Sequence, residues 1–142
     1  MRREEALEAL VAAQDITERV RRRGRWYAGY SAGFGVITVA LVLAVGLWPS
    51  PMGAVVATPL AVAGFAALTV YCLRRPMSPR RHAAVHLTSM GFWSAAYVAV
   101  LVVGATAFPG SAAWWVPGAL VCALPPFAAA LYTLARTAEP RA

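Results

Sequence analysis

Arg74-Arg75-Pro76-Met77-Ser78-Pro79-Arg80-Arg81-His82 is a compact basic stretch, and its flanks decide the fold. Upstream, Trp26 to Leu73 contains no Asp, Glu, Lys or Arg. Downstream, Ala83 to Ala135 contains none either. A membrane-crossing helix takes about 20 consecutive apolar residues, so each uncharged block holds two. Lipid offers the backbone no hydrogen bonds, which makes helices the natural form for such blocks. The basic stretch is then the link between two antiparallel transmembrane hairpins. The expected fold is all-α: a polytopic membrane four-helix bundle with an amphipathic helix in front of it.

Composition agrees. The 142-residue chain is 60% hydrophobic and 13% charged, with a mean hydropathy of +0.60. Soluble domains carry about 25% charged residues. All 13 basic residues are Arg, and the formal net charge is +7. In a soluble chain that excess would suggest nucleic acid. Here the Arg residues stand at span ends, where they set topology and meet anionic lipid, so no direct nucleic-acid binding is expected. Cys72 and Cys122 lie inside apolar runs at no metal or disulfide spacing.

Read in order, residues 1–25 form a cytoplasmic amphipathic helix, and residues 26–142 form the transmembrane domain. Spans fall at about 27–48, 52–73, 85–108 and 113–134. Pro49-Ser50-Pro51 and Pro109-Gly110-Ser111 are the uncharged turns. Arg19, Arg21, Arg22, Arg23 and Arg25 precede the first span, and Arg136 and Arg141 follow the last. The positive-inside rule then places both termini and the 74–82 loop in the cytoplasm of a bacterial cell, with the chain multi-pass in its cytoplasmic membrane. Phe65–Arg74 resembles Phe127–Arg136, which raises a second expectation: two hairpins related by an axis along the membrane normal.

In the leading helix, Leu7, Leu10 and Val11 share one side, with Ile16 at its edge. Glu4, Glu5 and Glu8 lie in the first turns and Arg19 to Arg23 in the last, which suits the helix dipole. The acidic half argues against simple adsorption to anionic lipid. Its natural counterpart within the chain is the loop, so Glu4, Glu8 and Asp15 together with Arg74, Arg75, Arg80 and Arg81 are the candidate partner- or headgroup-binding surface.

Three further constellations stand out. Gly29 and Gly33, and Gly91 and Ala95, are small residues at four-residue spacing, suited to close helix packing within the bundle or between copies. Pro125-Pro126 interrupts the last span: each Pro lacks an N–H and displaces a carbonyl four residues back. That predicts a kink, and with Trp93 and Tyr97 a candidate pocket for an apolar ligand. His82 and His86 lie at i, i+4, a weak metal or haem spacing. The loop Arg residues would repel a cation there, so no metal and no cofactor is expected.

No span carries a carboxylate, Lys or Arg, and the chain has no HExxH, Walker A or GxGxxG. No enzyme is expected, and no proton-coupled pump. Glu5-Ala-Leu-Glu-Ala-Leu10, Arg19-Val-Arg21 and Arg25-Trp-Tyr27, followed by four spans, resemble small actinobacterial membrane proteins of unassigned function. Such proteins are often encoded beside winged-helix regulators. The resemblance implies a cytoplasmic regulatory protein as partner. The residues themselves equally allow another membrane subunit or a homodimer. The favoured function is a non-enzymatic, partner-binding membrane protein; the alternative is a small oligomeric transporter or lipid-binding protein with its site at the Pro kink.

Overall fold

A computed structural model of the chain describes residues 2–48, 50–75 and 82–138; for residues 20, 21, 23, 24, 82 and 138 it describes the backbone alone. Among the described residues there are five α-helices and no strand. They are α1 (Arg2–Gly24), α2 (Trp26–Leu47), α3 (Met52–Leu73), α4 (His82–Ala107) and α5 (Ala112–Ala138). Helices α2 to α5 are long and apolar enough to cross a membrane. The chain is a multi-pass helical membrane protein.

The helix limits follow local chemistry. α2 ends where Trp48 turns to extended backbone. The α4–α5 turn favours Gly110, whose φ of +70° costs a residue without a side chain nothing, and Ser111 closes it with an N–H bond to the Phe108 carbonyl (3.2 Å). α4 begins three residues before the expected span and α5 runs four beyond it, because a helical backbone need not stop at the edge of the hydrocarbon. α5 continues through Pro117, Pro125 and Pro126 without leaving helical geometry. α1 stops at Gly24, the residue type that most favours a helix end. The break is a single residue, however: Arg25 keeps right-handed helical dihedrals (φ −66°, ψ −20°) and its carbonyl accepts from the Gly29 N–H.

α2 and α5, the first and last spans, form the central pair. α3 packs on α2 and α4 on α5, which gives the two antiparallel hairpins. No backbone of α3 approaches α4 among the described residues. A two-fold axis along the membrane normal would make the α2–α5 and α4–α3 approaches equal, so the bundle does not have the pseudo-symmetry that the repeated segments suggest. Side chains bridge α3 and α4 instead. Phe34 of α2 stands against Phe65 (4.6 Å between centroids) and against Trp93 (5.0 Å), and Phe65 meets Trp93 edge-on. Tyr97 extends this layer onto Leu41, Ala57 and Ala61.

The second core cluster lies at the opposite end and centres on Trp115, packed with Val42, Val100, Ala119 and Cys122. Its indole N–H donates to the Phe108 carbonyl (3.1 Å) and that of Trp114 to the Val100 carbonyl (3.2 Å). The exterior is apolar: Leu60, Phe92 and Leu131 are 66–68% exposed. The interior holds polar groups, with Thr38 wholly buried and bonded back to the Phe34 carbonyl. In water such a surface would be an aggregation liability; in lipid the tails solvate it.

Candidate functional site

The Arg-bearing end of the bundle carries the charged candidates, and the structure separates them. α1 approaches only α2 and α5 among the described residues, not α3. Its own charges pair along the helix: Arg19 with Asp15 (2.9 Å) and Arg22 with Glu18 (3.3 Å). At the end of α3, the Arg75 guanidinium lies over the Tyr71 ring (4.7 Å) and donates to its hydroxyl (3.1 Å). Arg74 is exposed at the α3 C-terminus. The contact anticipated between Glu4, Glu8 or Asp15 and the loop therefore does not form with Arg74 or Arg75. Arg80 and Arg81 lie outside the described residues.

α1 buries almost nothing. Every residue from Arg2 to Arg19 is exposed, and Leu7, Leu10, Val11 and Ile16 are 58–63% exposed. In proteins most helical stability comes from packing an amphipathic face rather than from propensity, so the apolar side of α1 is the feature that calls for a counterpart.

His86 sits on α4 beside α2. Its Nδ1 is 3.5 Å from the Tyr27 hydroxyl, and its ring is 6.0 Å from that of Tyr30. His86 therefore has aromatic neighbours on α2. The His82 side chain lies outside those described. Among the described residues no three His, Cys, Asp or Glu gather in metal-binding range.

The small-residue pairs also divide. Gly33 meets Leu68 across the α2–α3 seam, where an added Cβ would come to 3.3 Å. Gly29 and Gly91 have nothing within 4 Å of such an atom, and Ala95 is exposed. They lie on the outer surface. Close packing within the bundle rests on other glycines as well, among them Gly46 and Gly104, which flank Trp115.

The candidate pocket residues fall on two sides of α4. Trp93 and Tyr97 stack on each other (5.2 Å, 13°) and face α2, where the Trp93 indole N–H donates to the Thr38 hydroxyl (3.0 Å). Pro126 is fully buried. Pro125 alone lines a cavity, a lateral groove of about 720 Å³ between α4 and α5. Its walls include Val85, Ser89 and Phe92 from α4, and Val121, Pro125 and Tyr132 from α5. The groove opens on the outer face in the half of the bundle nearer the Arg residues. Sequence reasoning missed Ser89, although the signal was there: a hydroxyl on the same helical face as Val85 and Phe92 in an otherwise apolar run. No family model, no curated protein and no solved structure matches this chain.

Proposed function

We propose that the chain is a non-enzymatic bacterial inner-membrane protein whose α1 docks a soluble cytoplasmic protein. The Arg distribution supports placing both termini in the cytoplasm. The observation that carries this reading is the exposure of α1 from Arg2 to Arg19, including Leu7, Leu10 and Val11, on a helix that meets the first span at a single residue outside both helices, Arg25. An amphipathic helix of this kind binds by laying its apolar side into a groove of the partner. Glu4, Glu5 and Glu8 disfavour the anionic membrane surface as the alternative support, and they favour a partner whose groove is rimmed by basic residues. A transcription regulator, as the sequence resemblance implies, fits that description.

The test replaces Leu7, Leu10 and Val11 together by Ala. Ala is the best helix former, so α1 keeps its helix and loses only its apolar side. A photo-crosslinking residue at Ala6 or Ala13 would report what α1 touches in cells. The expected result is one discrete soluble protein captured by the parent chain, and at least tenfold less by the triple variant at equal membrane abundance. Crosslinks only to lipid, or only to a second copy, would rule the proposal out.

A further inference from the structure

We infer that the α4–α5 groove is a binding site for one anionic phospholipid of the leaflet on the Arg-bearing side. The inference does not depend on the role of α1. Four observations lie in the right order of depth. First, the groove runs from Ala84 to Ala96 on α4 and from Tyr132 back to Val121 on α5. At about 1.5 Å per residue this is about 18 Å, close to half of a hydrocarbon core about 30 Å thick. The groove therefore spans one leaflet, not the membrane.

Second, Ser89 is a wall residue, 8% exposed, and its Oγ has no hydrogen-bond partner among the described residues. Hydroxyls inside a span ordinarily return to a carbonyl of the preceding turn. Thr38, Thr69, Thr106 and Thr133 all do so. Ser89 does not. A buried hydroxyl left without a partner is costly, and a bound acceptor would relieve it. Third, Ser89 lies about 8 Å below Ala84, the top of the groove, by the same helical rise, in the upper part of that leaflet. A glycerol ester carbonyl drawn into the groove to this depth would accept from its hydroxyl.

Fourth, the mouth of the groove is formed by Tyr132, with the Arg136 guanidinium held 5.1 Å over its ring. A phosphate at that level meets a positive charge already positioned, and Arg is well suited to it. Below Ser89, the walls are Phe92, Val121 and Pro125, apolar and matched to an acyl chain. Pro125 also has no N–H to return to the Val121 carbonyl, so this stretch of wall lacks one backbone bond that ordinary lipid-facing helix would have. Phosphate, ester and chain thus each find their counterpart in sequence along one groove.

The test uses the full chain reconstituted in vesicles of equimolar phosphatidylglycerol and phosphatidylcholine, then extracted in mild detergent for intact-mass measurement. The expected result is one retained phosphatidylglycerol per chain. Arg136→Gln should abolish the preference over phosphatidylcholine. Ser89→Ala should weaken retention by about three- to tenfold, the effect of one hydrogen bond. Ala128→Phe and Ala84→Phe, exposed positions on opposite walls, should each fill the groove and eliminate retention without lowering thermal stability. No retained lipid on the parent chain, or equal retention in both Phe variants, would overturn the inference. So would a dimer that both Phe variants dissociate, since a second copy would then fill the groove.

Discussion

Gly46→Val is expected to remove most folded protein from a mild-detergent extract, and Gly46→Ala to cost about 3 kcal/mol, the upper end for an overpacked core. The reason is the seat of Trp115. This ring is 3% exposed and lies directly on Gly46 of α2, where an added Cβ would overlap it. The ring cannot step aside. On its other side Gly104 of α4 leaves no more room, since a Cβ there would meet the same indole at 2.6 Å. Its N–H is fixed to the Phe108 carbonyl. Trp115 is thus a wedge through which α2, α4 and α5 share one contact, and α2–α5 is the main seam of the bundle. In lipid, where no hydrophobic force draws helices together, such close packing supplies much of the association. Two companions make the measurement decisive. Gly91→Ala, at a site with nothing within 4 Å, should leave stability within about 0.5 kcal/mol. Trp115→Phe, which narrows the ring, should restore part of the loss when combined with Gly46→Ala. Equal thermal stability of Gly46→Ala and Gly91→Ala would show that the seam tolerates a methyl group and that the wedge is not its basis.

The contrast between Gly46 and Gly29 also marks what the amino-acid pattern can convey. Span number, hairpin turns and α1 were all readable, because charge partition and run length act residue by residue: no Asp, Glu, Lys or Arg occurs from Trp26 to Leu73, so that region had to be membrane or core. Which helix faces which was not readable. A soluble helix advertises its buried side by polarity, but α3 and α4 are apolar all round, and lipid and protein neighbours look alike to them. The GxxxG at Gly29 and Gly33 therefore pointed toward a seam without saying whose, and Gly46, with no partner at four-residue spacing, gave no such signal. The same limit divided the candidate pocket. Phe92 and Trp93 are one residue apart, yet a helix turns about 100° per residue. Phe92 lines the groove while Trp93 enters the aromatic core. A sequence names both as aromatic and mid-span; it does not carry the rotation of α4 about its axis.

Trp93→Ala is accordingly expected to act on stability and not on ligand retention. Its ring touches Phe34 of α2, Phe65 of α3 and Tyr97 of its own helix. Because α3 and α4 have no close backbone approach among the described residues, these rings help to span the gap between them. Truncation to Ala leaves a void of indole size at the centre of that layer and should cost about 3–5 kcal/mol. It also leaves Thr38, which is wholly buried, with its hydroxyl bonded only back to Phe34. Trp93→Phe separates the two contributions. Most of the ring volume remains and the 3.0 Å bond to Thr38 is lost, so the cost should fall to about 1 kcal/mol, the usual worth of a hydrogen bond between membrane helices. Thr38→Val removes the same bond from the other side and should cost a similar amount. Tyr97 is stacked on Trp93, so its fluorescence environment and the melting temperature should change together in Trp93→Ala. Lipid retention by Trp93→Phe should equal that of the parent chain, since the α4–α5 groove lies on a different face of α4. If Trp93→Phe instead lost the retained lipid while keeping its melting temperature, the ligand would sit among Trp93, Tyr97 and the neighbouring rings, and the groove between α4 and α5 would be an ordinary lipid-facing seam.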